Sequence, residues 1–304
     1  MINKLFIFFR VLIAYWKKII IDCVGLRGCE KLKKGTCAGP QLVVTLTSYG
    51  RRVSKTVYYT IVSILRQTSL PDRIVLWLDE DHWNELNIPV RLKKLQDYGL
   101  EIKFCKDIGS YTKLIRSIEE YPNDILLTID DDVIYNKKLI QYFRKAYECD
   151  PKRIWCAIAS AIKFDDNGKI LPYQLWRKPV FNCQLNNILP WGVWGCLYPP
   201  HSLYKDVCRE DLFMSLCPKA DDVWFWCMAQ LQGTNRGMID LKGHRGAYSF
   251  DDLYQYFHQN SALTHQNDHQ NKNDIQLRNL ISYYNILIKN NFKKSVSIEV
   301  FARI

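Results

Sequence analysis

Three adjacent aspartates, Asp130, Asp131 and Asp132, interrupt the stretch ILLTIDDDVIY, which runs from Ile125 to Tyr135. Carboxylates placed side by side repel one another, and here they follow an apolar run with the pattern of a buried strand. In an extended strand alternate residues share a side, so Asp130 and Asp132 are expected to point together and Asp131 elsewhere. Two oxygen ligands a short distance apart suit a hard divalent cation such as Mg²⁺ or Mn²⁺. A cation there removes the repulsion, and such ions keep water and draw further ligands from a phosphate. Without chemistry, the same run reads as a solvated acidic turn in which one Asp caps the next helix.

A second acidic pair, Asp221 and Asp222, opens DDVWFWCMAQLQG. Carboxylates at a helix N-terminus are favoured by the helix dipole, which accounts for the pair even with no reaction attached. Five of the nine tryptophans, Trp176, Trp191, Trp194, Trp224 and Trp226, fall within 51 residues. Sugars offer apolar C–H faces that stack on aromatic rings. The glycines of PWGVWGCLYPP permit close approach and tight turns, so Trp191, Trp194 and Gly195 are candidates to line a binding surface. Packing in a core is the alternative for these rings.

The elements that must position these residues alternate. QLVVTLTS, RIVLWL, LEIKFC and DILLTI read as strands. Between and after them, KTVYYTIVSILRQ (capped by Ser54), VRLKKLQDYG (stopped by Gly99), SYTKLIRSIEEY (from Ser110) and KKLIQYFRKAYE read as helices. Four strand–helix alternations within about 110 residues predict an α/β fold, a Rossmann-like, mostly parallel sheet with helices on both faces. Ligands of such sheets bind beyond the carboxyl ends of the strands, which is where the three aspartates fall. After residue 150 the pattern loosens into short strands and loops. DDVWFWCMAQLQG and NDIQLRNLISYYNILIKN then read as helices, and SVSIEVFARI as a closing strand. No internal repeat is visible.

The chain has 304 residues, 48% of them hydrophobic and 24% charged, a globular composition. Of the net charge of +11, six units sit in residues 1–40, where eight Lys/Arg face Asp22 and Glu30. A nucleic-acid footprint would spread the charge differently, and no nucleic-acid partner is expected. The eleven cysteines show no C-x-x-C spacing, which fits reduced thiols in the cytosol. The apolar run Leu5 to Trp16 is interrupted by Arg10 and closed by Lys17 and Lys18, too short for a span of about 20 residues. It reads as a basic amphipathic helix, lying either on an anionic membrane surface or on the protein's own body. The chain therefore divides into an N-terminal segment, 1–40, and one domain, 41–304.

Four stretches together, LTSYGRR at 46–52, SYTKL at 110–114, TIDDDVIY at 128–135 and ADDVWF at 220–225, resemble GT-A glycosyltransferases. More narrowly the chain resembles bacterial family-2-like transferases of surface polysaccharide or lipopolysaccharide assembly. The likeness covers roughly residues 41–285. It implies a GT-A fold with a nucleotide-sugar half at about 41–135 and an acceptor half at about 150–285. It also implies a divalent metal, Mn²⁺ or Mg²⁺, a nucleotide-sugar donor (uridine is the family's usual base) and a glycan or lipid-linked acceptor. The place of work it implies is cytoplasmic, peripheral at the inner face of the plasma membrane.

The resemblance puts Thr47, Tyr49, Arg51, Asp79, Lys113 and Asp131 on the donor side, with Arg52 an alternative phosphate contact, and makes Trp191, Trp194 and Gly195 part of the acceptor side. Asp130 and Asp132 hold the metal. A downstream histidine is a common third ligand in the family; of His258, His265 and His269, His265 is chosen. Asp222 is the base that deprotonates the acceptor in an inverting displacement, supported by Asp221. An Asp-based phosphotransferase of the D-x-D-x-T type is disfavoured by Ile134 at the threonine position. A non-catalytic protein of the same fold stays open, because fold does not settle function.

Overall fold

A computed structural model describes residues 2–32, 39–180, 187–242, 246–249 and 272–285. The four alternating strands form as the sequence pattern requires. They are β1 (Leu42–Ser48), β2 (Arg73–Asp79), β3 (Leu100–Cys105) and β4 (Ile125–Thr128). All four are parallel, in the order β3-β2-β1-β4. Strands buried on both faces need continuous apolar runs, and all four residues of β4 are buried.

Successive residues of β1 divide between two cores. Leu42, Val44 and Leu46 pack on one face with α3 (Val57–Leu65), α4 (Val90–Gln96) and α6 (Leu139–Cys149). Val43 packs on the other with α5 (Thr112–Glu120), α7 (Glu210–Leu216), α8 (Asp221–Gln232) and α9 (Lys272–Tyr284). A period of two thus builds a three-layer α/β fold.

The later chain extends the sheet past β4. β10 (Cys196–Tyr198) joins β4 antiparallel, followed by β6 (Ile154–Cys156) and β11 (Arg236–Met238), giving seven strands. Because β10 runs backwards, its start lies at the carboxyl end of β4: Cys196 pairs with Thr128. The glycine-rich turn before Cys196 therefore arrives at the end of the sheet where the aspartates lie. Two small sheets complete the described strands: β7 (Ala159–Ala161) with β8 (Pro179–Val180) and β9 (Ile188–Pro190), and β5 (Val133–Tyr135) with β12 (Ala247–Ser249).

Two local expectations change. Ser54 does not cap the first helix. Gly50, at φ 52°, turns the chain out of β1, and α2 (Arg51–Lys55) starts at once. It breaks at Thr56 (φ −120°, ψ −44°) before α3 begins. The strand after β4 does not run on through the aspartates either. Asp131 and Asp132 occupy a turn, and β5 starts afresh in another sheet. The alternation argument for Asp130 and Asp132 therefore does not apply.

Gly195 illustrates how closely the turn packs. Its φ of 103° and ψ of 140° are accessible to glycine, and an added Cβ would lie 3.1 Å from a ring carbon of Phe143. Replacing it with alanine should cost on the order of 1–3 kcal/mol through the backbone alone. Thermal or urea unfolding of Gly195→Ala checks this, and an unchanged midpoint would contradict it.

At the start of the chain, α1 (Ile2–Val24) packs against α3 and β12 through the buried Ala14 and Ile21. Its side chains are described from Leu12 onward. The nine described cysteines are all free thiols. The proposed closing strand lies outside the described residues.

Candidate active site

In parallel βα units the helix N-termini and the strand carboxyl ends share one edge. That edge gathers β4's end, the first turns of α2, α5 and α8, and the turn before β10.

The three aspartates separate by partner. Asp130 accepts a hydrogen bond from Lys113 Nζ at 2.8 Å. Asp131 is buried and accepts from Ser48 Oγ at 2.6 Å and Arg52 Nη1 at 2.9 Å. Asp132, also buried, lies 3.1 Å from Arg52 Nη2. Arg52 thus bridges two neighbouring carboxylates and offsets part of the repulsion for which the sequence suggested a cation alone. Burial pushes the Asp131 acid up, against the pull of the Arg52 charge.

Lys113 stands in the first turn of α5 with its side chain 10% exposed, and its Nζ also lies 3.7 Å from Asp221 Oδ2. Burial works to discharge the ammonium, but the charges of Asp130, Asp221 and Asp222 override it and hold the proton above the usual lysine range. The lysine is placed by a chain of buried hydrogen bonds. Trp77 Nε1 donates to Ser117 Oγ (2.9 Å), Ser117 Oγ lies 2.6 Å from Thr45 Oγ1, and Thr45 donates to the Lys113 carbonyl (2.6 Å). Residues of β1 and β2 therefore pin the helix that carries it.

Asp222 reaches the same place from α8. Its two oxygens accept one backbone N–H, that of Gly192, at 3.2 and 3.3 Å. A Cβ on Gly192 would come within 3.3 Å of both Asp222 Oδ1 and Lys113 Nζ, so this glycine leaves the carboxylate and the ammonium their space. Desolvation, followed by the charge of Asp221, pushes the Asp222 acid up to about 8. A carboxyl titrating near the working pH is suited to taking and giving a proton.

Tyr135 closes the arrangement. Its hydroxyl accepts from the Asp130 backbone N–H (2.9 Å) and donates to the Val193 carbonyl (3.0 Å), fastening the aspartate turn to the glycine turn. Sequence reasoning missed Ser48, Tyr135 and Gly192, and weighed Arg52 only as an alternative. Ser48 and Arg52 stand inside LTSYGRR, so that motif was the available signal. Gly192 acts through its backbone, for which side-chain chemistry gives none.

The remaining residues that the resemblance assigns to the donor lie at the carboxyl ends of β1 and β2. Thr47 donates to the Trp77 carbonyl at 3.1 Å. Tyr49 is exposed, with the Arg52 guanidinium 5.4 Å from its ring centre, and Arg51 is exposed beside it. Asp79 ends β2, accepting from the Asp81 amide (2.9 Å) and pairing with His82. Although burial opposes it, these two partners hold the Asp79 carboxyl below its usual range, and the same bond raises His82.

The tryptophans are mostly core. Trp176, Trp194, Trp224 and Trp226 are buried, and Trp194 packs against Gly246. Trp194 and Gly195, the latter closed off by Phe143, therefore shape the turn from beneath. Trp191 alone of the five is half-buried, its indole N–H donating to Ser160 at 3.0 Å. His265 lies outside the described residues.

Among the described residues no three His, Cys, Asp or Glu side chains converge as a closed metal cage. An ion that takes only one or two carboxylates, completing its shell with water and diphosphate, needs less. Asp130 and Asp132 supply hard oxygens of the kind such an ion takes, Asp130 hydrogen-bonded to Lys113 and Asp132 paired with Arg52. Five carboxylates here face Lys113 and Arg52, a formal negative excess that a divalent ion would offset.

No family model matches the chain, and no curated protein matches it. Among solved structures, it is similar to residues 1–349 of S. aureus TarS in complex with UDP (11% identity, TM-score 0.43, covering 85% of this chain and 76% of that one). It is also similar to CMP:2-keto-3-deoxy-manno-octonic acid synthetase complexed with CTP (10%, 0.43, 73% and 98%). A third is the inositol-1-phosphate CTP transferase from T. maritima (13%, 0.42, 75% and 97%). Likeness this distant says nothing about substrate.

Proposed function

We propose that this chain is a metal-dependent glycosyltransferase. It moves a sugar from a nucleotide-sugar donor to a glycan or lipid-linked acceptor of bacterial surface polysaccharide assembly, with inversion. The observation that carries the reading is the meeting of two acidic groups, about 90 residues apart in sequence, around one buried lysine. Asp130 comes from the end of β4, Asp221 and Asp222 from the start of α8.

The residues divide the work by position. Asp222, held by Gly192 at the boundary with the later half of the chain, takes the proton from an acceptor hydroxyl as it attacks the anomeric carbon. Lys113 and Arg52 offer positive charge to the donor diphosphate, and Tyr49 and Asp79 hold its nucleoside. Asp130 and Asp132 would hold Mn²⁺ or Mg²⁺, which supplies positive charge to the departing diphosphate.

Thermal unfolding with a panel of nucleotide sugars, with and without Mn²⁺, tests this. A ligand at a hundred times its Kd stabilises by about 2.7 kcal/mol, so the true donor should raise the Tm, and more so with metal. If no nucleotide sugar moves the Tm under either condition, the reading fails.

A further inference from the structure

The helix α1 presents two unlike faces. One is committed to the protein. Ala14 and Ile21 are buried, Lys18 pairs with Asp22, and Asp22 accepts from Tyr59 (2.8 Å) and Arg91 (3.0 Å). The other carries Leu12, Tyr15, Trp16 and Ile19, at i, i+3, i+4 and i+7, all exposed, with Trp16 at 63%. That spacing is a continuous apolar stripe. A stripe of this kind on a helix that already has a docked face marks an interaction surface.

We propose that the Leu12–Tyr15–Trp16–Ile19 face of α1 docks on an anionic lipid surface. Charge selects this occupant over a second copy of the chain. Residues 1–40 carry a net +6, and Arg27 and Lys31 are exposed just beyond the helix. Two such faces meeting would bring like charges together, whereas an anionic leaflet complements them. Aromatic and aliphatic side chains beside basic ones are what a helix lying in the headgroup region requires. No described helix is long and apolar enough to cross a membrane, and α1 is already held along one face by the domain.

The fold gives this contact a direction. α1 packs on β12, β12 pairs with β5, and β5 follows the aspartate turn directly. Docking therefore holds the aspartate edge of the domain at a fixed attitude to the lipid. The inference stands apart from the proposed transfer reaction, and its test uses no donor or acceptor.

The full chain is sedimented with vesicles of phosphatidylcholine alone and of phosphatidylcholine with phosphatidylglycerol, at low and high salt. It should partition to the anionic vesicles, and salt should weaken that binding. Trp16→Glu with Ile19→Glu should lower the partition roughly tenfold or more, while Leu86→Ser, at an apolar side chain 92% exposed on another surface, should bind as the wild type. Brominated lipid should quench tryptophan fluorescence in the wild type and far less in Trp16→Phe. Failure of the wild type to bind anionic vesicles overturns the proposal, as does unchanged binding by the double variant. So does a double variant that breaks a dimer while its vesicle binding stays intact, which would assign the face to a second copy.

Discussion

Asp222→Asn should lower transfer by about 10³-fold, the usual scale for removing a general base, while the dissociation constant of the nucleotide-sugar donor stays nearly unchanged. The carboxylate faces Gly192 and Lys113, and asparagine keeps an oxygen for the Gly192 amide but cannot accept a proton from the acceptor. Comparable loss of donor affinity would instead give the residue a structural role. The pH dependence supplies an independent readout. The acid titrates at about 8 in the folded protein against 3.8 for an ordinary aspartate, so between those values the folded state holds a proton that the unfolded chain releases. Stability from this group is complete below pH 3.8 and falls as pH rises toward 8. The amide that replaces it has no such proton to lose. The variant should therefore be the more heat-stable protein at about pH 8, by a margin that shrinks toward about pH 4. In the wild type, kcat/KM should rise with pH through about 8, as the free enzyme's base ionises. Parallel Tm curves for the two proteins across this range would remove Asp222 from the role.

Removing the lysine acts in the opposite sense. Lys113→Met leaves Asp130 and Asp221 without their shared ammonium in a setting where that ammonium was only 10% exposed. Breaking a buried pair by deleting one partner costs about 3–5 kcal/mol. Asp130 keeps 29% exposure, which puts the expected loss near the lower end, about 3 kcal/mol. Adding Asp130→Asn should restore part of it, because one uncompensated charge disappears. Mn²⁺ should raise the Tm of Lys113→Met more than that of the wild type, since an oxygen of Asp130 is no longer taken. Donor affinity should fall as well, in contrast with Asp222→Asn. A single variant destabilised by less than about 1 kcal/mol, the range of exposed pairs, would show that the lysine is solvated in solution.

Much of the framework is legible in the sequence because strongly periodic segments declare themselves. β1, β2 and β4 are buried enough on both faces for apolar composition to mark them, the half-buried edge strand β3 shows itself by alternation, and the place of the aspartates follows from their order. What the sequence withheld was direction. The chain turns at Asp131 because Ser48 and Arg52 capture that side chain, and those partners lie 83 and 79 residues away. Arg52 stands over the turn because Gly50 starts α2 early, an effect of one backbone angle. The strands of the later half have two or three residues each, too short to show a period. The tryptophan cluster was visible, but burial depends on what packs above each ring, and for Trp194 that is Gly246, 52 positions downstream.

The distribution of counter-charges along the chain bears on how the domain is made. Asp130, Asp131 and Asp132 are matched by Lys113 and Arg52, all within the first 132 residues, and β1 to β4 form an unbroken parallel block over residues 42–128. Asp221 and Asp222 come some 90 residues later. During vectorial synthesis the acidic turn thus finds its partners inside the segment already emerged, and need not wait, self-repelling, for the remainder. The second acidic pair then joins a lysine that is already in place.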